Sequence, residues 1–333
     1  MAHDGFKVLW VEATANNQYE QRIVERSIDQ LPDHEVLVDV HYSSLNYKDA
    51  LSATGNPGVT REYPHQPGID AAGVVLDDKS GRFAKGDQVI VSGYDLGMNT
   101  PGGLGQRIRV PTDWIVALPQ GLSLKESMII GTAGFTAALC VGKLLHMGAT
   151  TEDGSVIVSG ATGGVGSFSV ALLSHLGFSV AALTGKVEQS EWLVELGAQQ
   201  VVERNTLTEP NKRPLAKPQW AHGIDCVGGE ILANIIKSLA YGGSVAACGM
   251  TASPNFQGSV FPFILRGVNL LGVDCVELPL TRKEANWQLL ASAFKLSNLE
   301  RMAETITLEQ VPDYLARIIN GHAVGRYVVD LRA

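Results

Sequence analysis

A glycine-rich loop between a short apolar run and a helix-length apolar segment is the feature that most constrains the fold of this chain. The run S-V-I-V-S (155–159) leads into Gly160-Ala161-Thr162-Gly163-Gly164-Val165-Gly166. A buried strand that enters a helix through glycines leaves backbone N–H groups free at the helix start, and the backbone can approach a pyrophosphate closely. In this context the pattern predicts nucleotide binding by Gly160, Gly163, Gly164, Val165 and Gly166, and not merely a tight turn.

Alternating strand and helix patterns follow the loop and predict a doubly wound parallel sheet. The runs are apolar throughout and do not alternate with polar residues, as expected when helices cover both faces of a sheet. We therefore predict six parallel strands. The five further runs are S-V-A-A-L (179–183), Q-V-V (200–202), G-I-D-C-V (223–227), G-S-V-A-A-C (243–248) and V-N-L-L-G-V (268–273).

The residues before the glycine loop have a different pattern, which predicts a second domain. Between residues 6 and 118, short apolar runs alternate with Gly, Pro and Asp turns, as in a small β barrel or sandwich. A chain of 333 residues also exceeds the size at which single cores stop growing. We predict a mostly β substrate domain at 1–125, completed by 300–333, and a nucleotide-binding domain at 126–299, with a bridging helix at 127–146.

Charge and cysteine content exclude several classes of function. The net charge of −8 argues against nucleic-acid or acidic-membrane binding. The four cysteines lie in apolar segments without C-x-x-C or metal-ligand spacing, which predicts buried thiols in a reducing compartment. The start M-A-H-D-G lacks signal-peptide features, and no stretch approaches eighteen consecutive apolar residues. These features predict a cytoplasmic protein.

The turn after the second strand of the sheet predicts which nucleotide is bound. Thr184, Gly185 and Lys186 stand where a carboxylate would bind the ribose 2′-hydroxyl in a site that prefers NAD. A hydroxyl and a lysine suit a 2′-phosphate instead, and Arg204, after the third strand, can add a second cation. We predict NADPH over NADH; the alternative is that Lys186 is a solvated surface lysine.

Seven motifs span nearly the whole chain in an ordered series. They are S-S-L-N-Y-K-D-A (43–50), P-G-I-D-A-A-G (67–73), G-T-A-G-F-T-A (131–137), G-A-T-G-G-V-G (160–166), Y-G-G-S-V-A-A-C-G (241–249), P-F-I-L-R-G-V (262–268) and G-R (325–326). In order and spacing they resemble the medium-chain dehydrogenase/reductase superfamily. Within it, the chain is most similar to the zinc-free quinone oxidoreductase group and its bacterial acryloyl-CoA reductase subgroup.

The resemblance implies an α/β protein in which a GroES-like, mostly β substrate domain is wrapped around an inserted Rossmann domain. It also implies a homodimer and a coenzyme in the cleft between the two domains. Zinc-dependent members need Cys or His ligands and a G-H-E motif, whereas this chain has Gly68-Ile69-Asp70 there and no cysteine before Cys140. We therefore predict no catalytic metal.

Without zinc, the easier reaction is hydride addition to a carbon–carbon double bond that a carbonyl activates. The resemblance places N-Y-K-D beside the nicotinamide. Tyr47 is the candidate proton donor to the developing enolate. Solvent is a rival proton source, and Tyr47 could instead only pack against the coenzyme or hydrogen-bond Asp70. Asn46 is predicted to orient the substrate carbonyl.

Further contacts are implied by the resemblance alone. Thr132 and Thr136 would contact the nicotinamide end of the coenzyme, although as helix residues they can equally bond their own backbone. Packing and backbone contacts along the coenzyme are implied for Cys248, Ile264, Cys275 and Asn320, and burial is an alternative role for both cysteines. A CoA thioester would need cations, for which the candidates are Arg61, Arg107, Arg109, Arg266 and Arg326.

Three functions remain open at this point. The first is an NADPH-dependent reductase of an activated alkene, with acryloyl-CoA reduced to propanoyl-CoA as the most specific form. The second is an NADPH:quinone or enone oxidoreductase of broad specificity. The third is a non-catalytic NADPH-binding sensor or structural protein. Fold alone does not choose among substrates.

Overall fold

The computed structural model describes residues 5–16 and 18–333, and the chain within it forms two compact units. The first unit contains the described residues up to Thr132 together with Val276–Ser292 and Ser297–Ala333. The second contains Ala133–Cys275 and Ala293–Leu296. Met1–Asp4, part of the segment used to predict a cytoplasmic location, lie outside the described residues.

This division does not follow the residue boundaries expected from the sequence. The segment at 276–292 groups with the first unit, whereas we expected it in the nucleotide-binding domain. A buried cation accounts for the difference, since the ammonium of Lys283 donates to the carbonyls of Ser92 (2.8 Å) and Val276 (3.0 Å). A charge at a fully buried position needs such partners. The bond to Ser92 fixes the segment at 276–292 to the end of a strand of the first unit, Gln88–Ser92.

The strands and helices alternate in the order that the two patterns predict. In chain order the strands are β1 (Gly5–Ala13), β2 (Tyr19–Ser27), β3 (Val36–Ser44), β4 (Asp70–Asp78), β5 (Gln88–Ser92), β6 (Arg107–Val110), β7 (Ile115–Ala117), β8 (Val156–Ser159), β9 (Val180–Thr184), β10 (Gln200–Glu203), β11 (His222–Asp225), β12 (Ser244–Ala247), β13 (Asn269–Gly272), β14 (Ala303–Thr307) and β15 (Arg326–Asp330). The helices are α1 (Tyr47–Ala53), α2 (Leu124–His146), α3 (Gly164–His175), α4 (Ser190–Glu195), α5 (Gly229–Ser238), α6 (Phe261–Arg266), α7 (Leu280–Leu290) and α8 (Val311–Ile319).

The first unit is mostly β, as the short apolar runs predict. β1 and β2 form an antiparallel hairpin, and a larger sheet has the order β14-β15-β3-β4-β5-β7, with β6 also paired to β3. The C-terminal strand β15 pairs antiparallel with β3, so the end of the chain returns to a sheet built near its start. Alternate residues of β3, including Val36, Val38 and Val40, point into one buried core.

The second unit is a six-stranded parallel sheet with the order β10-β9-β8-β11-β12-β13. Counted from the first strand of the unit, this is the doubly wound order 3-2-1-4-5-6. All residues of β8 and β9 are buried, which explains why their sequences lack alternation. The predicted fold class is confirmed.

The long helix α2 is broken once and is largely internal. Gly131 has φ 49° and ψ −163°, so the helix kinks there, whereas Gly134 does not interrupt it. By length and composition alone the 23-residue helix could cross a membrane, although 72% of its most apolar window is buried within the protein. A mostly buried core helix passes the same test, so the finding is weak evidence for a membrane span. The expectation from the sequence concerned eighteen consecutive apolar residues, and polar residues such as Thr132, Thr136 and Lys143 interrupt the apolar residues of this helix.

Candidate functional site

The glycine loop forms a tight connection between β8 and the first turn of α3. Gly160 has φ 60°, and the N–H of Gly163 donates to its carbonyl at 2.9 Å. Gly163 is the N-cap of α3, so Gly164 and Val165 open the helix and Gly166 completes its first turn. Their backbone N–H groups belong to the set that a helix start leaves without intrahelical acceptors, which suits an anion.

Among the loop glycines Gly160, Gly163 and Gly166, Gly166 has the least room for a side chain. A Cβ there would lie 2.2 Å from the carbonyl oxygen of Gly160 and 2.7 Å from the Cα of Ala161. Gly163 is less restricted, since its Cβ would lie 3.3 Å from the same oxygen. The close packing of α3 on the loop therefore depends on glycine at 166.

The turn after β9 brings the predicted cationic residues together. The Nε and Cζ of Arg204 lie so close to Gly185 that a Cβ at 185 would be 3.0 and 2.9 Å away. Burial lowers the pKa of Lys186, with a further lowering from Arg204 that Glu188 opposes. Thr184 is buried, and its hydroxyl accepts from the N–H of Lys186 at 3.0 Å, so it shapes this turn. Two adjacent cations at the end of β9 can bind a phosphate.

Asp225 ties together the two strands at which the strand order reverses, and sequence reasoning missed it. The hydroxyl of Ser159, at the end of β8, donates to the Asp225 carboxylate at 2.7 Å, and the N–H of Gly228 donates to its other oxygen at 2.7 Å. Burial raises the pKa of Asp225, and these hydrogen bonds oppose the rise. A carboxylate in the middle of the apolar run G-I-D-C-V (223–227) was the available signal. Ligands of open α/β sheets bind at this reversal point.

A set of thiols lies next to Asp225, although the sequence showed only scattered cysteines. The Sγ of Cys248 is 3.4 Å from the carbonyl oxygen of Asp225 and 3.9 Å from the Sγ of Cys226. Cys140, on α2, is fully buried, and interaction with Cys248 together with burial raises the pKa of its thiol. Cys226 and Cys248 are only half-buried, so the prediction of buried thiols does not hold for them.

A buried polar network lies in the first unit around Asp70, at the start of β4. The carboxylate accepts hydrogen bonds from the Ser44 hydroxyl (2.7 Å), the Asn46 amide (2.8 Å) and both the N–H and the hydroxyl of Thr132 (2.8 and 2.7 Å). The guanidinium of Arg326 lies 3.9 Å from the same carboxylate. The alternative that Tyr47 hydrogen-bonds Asp70 is therefore wrong.

Arg326 and Asp49 complete this network. The Arg326 guanidinium is 3% exposed and donates to the carbonyls of Leu45 and Ile129, which fixes the segment before α1. Burial lowers its pKa, and the two aspartates oppose this. Asp49 accepts from the N–H groups of Asn46 (2.7 Å) and Ile69 (2.9 Å). Burial and the neighbouring Asp70 raise the pKa of Asp49 to about 7.

Tyr47 and Asn46, the predicted catalytic residues, have opposite environments. The side chain of Tyr47, at the first position of α1, is 40% exposed and makes no hydrogen bond within residues 5–16 and 18–333. Asn46 is buried. Its amide nitrogen donates to Asp70 and to the Ser44 carbonyl, and its oxygen accepts from Arg326 at 3.2 Å. The network thus holds Asn46 and leaves the Tyr47 hydroxyl available.

The other residues implied to contact the coenzyme lie on different elements and differ in exposure. Thr136 is buried on α2, and Cys275 is half-buried beyond β13. Ile264, on α6, is 69% exposed. Asn320, the C-cap of α8 in the first unit, donates to the carbonyl of Ala316 at 2.8 Å. These positions remain predictions.

Three of the five arginines considered for the CoA tail have structural partners. Arg326 is buried, Arg107 pairs with Asp39, and Arg266 donates to the carbonyls of Ala216, Lys237 and Leu239. Arg326 is therefore no surface cation. The contacts of Arg107 and Arg266 give both a structural role, and binding of CoA by these two half-buried residues stays a prediction. Arg61 is exposed, and the Nε of Arg109 has no hydrogen-bond partner among the described residues.

Known proteins match the chain along almost its whole length. The family model described as alcohol dehydrogenase GroES-like domain matches residues 32–120, and that of the zinc-binding dehydrogenases matches 164–292. The acrylyl-CoA reductase AcuI of Ruegeria pomeroyi is 43% identical over 329 residues, covering 98% of this chain and 100% of the relative. Two solved structures are equally similar. The YhdH oxidoreductase of Salmonella enterica in complex with NADP has a TM-score of 0.94 at 44% identity, covering 97% of this chain and 99% of the other. Bacillus subtilis YhfP with NAD bound has a TM-score of 0.95 at 42% identity, covering 98% of this chain and 99% of the other.

The name of the second family model raises the question of zinc, and the residues present do not fit that metal. Asp70 stands in the G-I-D segment, and its carboxylate is fully engaged by the donors named above. The described part of the chain contains no group of three or more His, Cys, Asp or Glu residues that could hold a metal ion. The resemblance inferred from the seven motifs is confirmed, and the chain belongs to the medium-chain dehydrogenase/reductase superfamily, whose members use a nicotinamide cofactor.

Proposed function

We propose that this protein is an NADPH-dependent oxidoreductase that reduces an activated carbon–carbon double bond, with acryloyl-CoA as substrate and propanoyl-CoA as product. The observation that carries the proposal is the pair of cations, Lys186 and Arg204, at the end of β9, where an NAD-preferring site would have a carboxylate. The similarity to an acrylyl-CoA reductase over 98% of the chain supports the choice of substrate.

The second unit supplies the binding groups for the coenzyme. The N–H groups of Gly164, Val165 and Gly166 suit the pyrophosphate, and the close packing at Gly166 keeps them in place. Lys186 and Arg204 suit the 2′-phosphate, in a turn that the Thr184 hydroxyl and Gly185 shape. When bound, NADPH supplies the hydride. The coenzyme roles of Gly160, Gly163, Thr136, Cys248, Ile264, Cys275 and Asn320 belong to the same proposal.

The first unit supplies the groups for the substrate. The Tyr47 hydroxyl donates a hydrogen bond to the developing enolate oxygen and then a proton to the α carbon. Its availability to solvent supports this role. Asn46 acts as a positioning residue, because Asp70, Ser44 and Arg326 already occupy its amide and hold the start of α1. Arg61 and Arg109 are the remaining cations for the phosphates of a CoA thioester.

We further propose a cytoplasmic homodimer that binds neither nucleic acid nor membrane. Large apolar side chains that are exposed between residues 250 and 270 support the dimer, because exposed apolar patches mark interaction surfaces. They include Met250, Val260, Ile264, Leu265 and Leu270. Leu270 lies on β13, an edge strand whose free side can pair with a second copy. The four cysteines are thiols and not disulfides, which supports a reducing compartment.

The test is a steady-state screen of coenzyme oxidation by the purified protein. NADPH and NADH are compared with acryloyl-CoA, crotonyl-CoA, a quinone and a simple enone, and binding of both nucleotides is measured by calorimetry. We expect the highest kcat/KM with NADPH and acryloyl-CoA. A faster reaction with the quinone would mean that a quinone, and not acryloyl-CoA, is the substrate. NADPH binding without turnover of any acceptor would favour a non-catalytic binding protein.

A further inference from the structure

All four cysteines of the chain belong to the second unit, and two of them lie side by side at the carboxyl edge of its sheet. Cys226 directly follows β11 and Cys248 directly follows β12. These strands are parallel neighbours in which Asp225 is in register with Ala247, so the next pair in register is Cys226 with Cys248. Their sulfur atoms are 3.9 Å apart, and both are free thiols.

This arrangement meets the requirements for a disulfide bond. Neighbouring strands lie about 4.8 Å apart, which falls inside the range of Cα separations that a disulfide spans. The two sulfurs must approach to about 2.05 Å, and rotation about the side-chain χ1 bonds can supply that movement. No strand has to move out of the sheet. Neither residue is fully buried.

The neighbours of Cys248 favour it as the nucleophile. The sulfur atoms of Cys226 and Cys248 are 3.9 Å apart, and interaction with Cys226 and Cys140 lowers the pKa of the Cys248 thiol although burial opposes this. The same interactions, together with burial, raise the pKa of Cys140 and Cys226. A thiolate at Cys248 with a neighbouring thiol is the pairing that a reactive cysteine and its resolving partner require.

We infer that Cys226 and Cys248 form a reversible disulfide in the presence of a peroxide. The Cys248 thiolate attacks one peroxide oxygen, the O–O bond breaks, and hydroxide leaves, which gives a sulfenic acid. The sulfur of Cys226 then attacks the Cys248 sulfur, the S–O bond breaks, and the hydroxide takes up the Cys226 proton to leave as water. Overall two thiols lose two electrons and two protons, and one hydrogen peroxide becomes two waters.

The position of the pair connects the disulfide to coenzyme binding. A Cβ added at Gly160 would lie 3.5 Å from the Cβ of Cys226, so the pair adjoins the glycine loop. The backbones of Cys226 and Gly249 are also packed, since a Cβ at 249 would lie 2.0 Å from the carbonyl oxygen of Cys226. Joining the sulfurs turns both side chains into new rotamers directly beside this loop and this backbone contact. We therefore expect bound coenzyme and the disulfide to exclude each other, a consequence that rests on the proposed function.

The disulfide is tested on the whole protein by peptide mapping without reduction after treatment with hydrogen peroxide. We expect a linked peptide containing Cys226 and Cys248 in the natural protein and in a Cys275→Ser control. Two of the four thiols of the natural protein, or two of the three of the control, should be lost and then recovered with dithiothreitol. A link to Cys140 or Cys275, or sulfinic acid at Cys248 without any link, would overturn the inference.

Two single variants test the order of the steps. In Cys226→Ser the reaction stops at the sulfenic acid, so dimedone should label Cys248. In Cys248→Ser the nucleophile is missing, so Cys226 should remain unlabelled. Labelling of Cys226 in that variant would contradict the assignment of Cys248 as the attacking sulfur.

Protection by coenzyme is measured with NADP⁺, which does not consume peroxide. At ten times its Kd from calorimetry, the nucleotide should slow disulfide formation about tenfold, because about a tenth of the protein remains free. An unchanged rate despite measured binding would overturn the mutual exclusion. If calorimetry shows no binding, the proposed function fails, and the peptide map still decides whether the disulfide forms.

Discussion

The guanidinium of Arg204 lies against the backbone of Gly185, so close that a Cβ at 185 would be 2.9 Å from its Cζ. Arg204 directly follows strand β10, and this contact holds its guanidinium over the turn that follows β9. Lys186 is the next residue of that turn and interacts electrostatically with Arg204. Two cations held together without a bound anion repel each other, and a phosphate group would relieve that repulsion.

Reversing the charge at Lys186 should therefore change coenzyme preference. A hydrogen bond to a charged group contributes about 1.5–3 kcal/mol, so Lys186→Glu should lower the ratio of kcat/KM for NADPH to that for NADH at least about tenfold. The exposed Lys212→Glu in the same unit makes the same charge change elsewhere and should leave the ratio as it is. An unchanged ratio for Lys186→Glu would mean that Lys186 is a solvated surface lysine that does not bind the 2′-phosphate.

Alanine at Gly166 should destabilise the second unit and weaken coenzyme binding. Its Cβ would meet the Gly160 carbonyl oxygen at 2.2 Å, and overpacking of this kind costs about 1–3 kcal/mol. Gly142, on α2, is the matched control. A Cβ there meets nothing within 4 Å, so Gly142→Ala should stabilise the protein by up to about 1 kcal/mol. Thermal melts and the KM for NADPH measure both effects, and equal melting temperatures for the two variants would contradict the account.

The parallel sheet could be predicted from the sequence because its signals are local. Each strand is an uninterrupted apolar run, and the glycine loop stands directly between β8 and α3. The grouping of α7 with the first unit could not be predicted. It depends on the Lys283 ammonium reaching the carbonyl of Ser92, which lies 191 residues earlier in the chain. The residues of β14 also lacked a recognisable strand pattern, since two of its five residues are exposed and two half-buried.

The same distinction applies to the candidate site. The residues at 184–186 lie in one turn, so their chemistry could be inferred from adjacency alone. The contact of Cys226 with Cys248 arises only when β11 and β12 pair in register, which no spacing rule for cysteines detects. Likewise the ion pair between Arg326 and Asp70 joins residues from opposite ends of the chain, so Arg326 looked like one of several surface arginines.

Loss of Arg326 should destabilise the first unit strongly. Arg326→Leu leaves Asp70 buried without its cation and removes the donors to the carbonyls of Leu45 and Ile129. Breaking a buried ion pair in this way costs about 3–5 kcal/mol in the free energy of unfolding. The exposed Arg61→Leu, the same substitution at the surface, should cost no more than about 0.5 kcal/mol. Denaturant titration compares them, and a similarly small cost for both would mean that the network contributes little.

Removal of the Tyr47 hydroxyl should slow turnover without affecting stability. The hydroxyl makes no hydrogen bond in the part of the chain that the structure describes, so Tyr47→Phe should melt at the natural temperature. A lost general acid lowers kcat by about 100-fold or more. Tyr241→Phe, at an exposed tyrosine of the second unit, serves as the control for kcat. Full turnover by Tyr47→Phe would mean that solvent, and not Tyr47, donates the proton to the α carbon.

Asp49 should make stability depend on pH between about 4 and 7. Its pKa is raised to about 7 in the folded protein, because burial and the neighbouring Asp70 disfavour a second carboxylate charge beside the single cation Arg326. The unfolded value is about 4. Between these values the folded state retains a proton that the unfolded state has lost, so the stabilising contribution is complete below pH 4 and disappears as the pH rises through 7.

Asp49→Asn removes this titration, although it also alters the hydrogen bonds from Asn46 and Ile69. We therefore expect the unfolding free energy of the natural protein, measured relative to that of the variant, to fall from pH 4 to pH 7. Above pH 7 the gap between the two should stay constant. Denaturant titration at several pH values measures the gap, with the exposed Asp77→Asn as a control whose gap should not follow this course. A gap that is equally wide at pH 5 and pH 8 would mean that Asp49 is ionised throughout, and that its two backbone N–H donors outweigh burial.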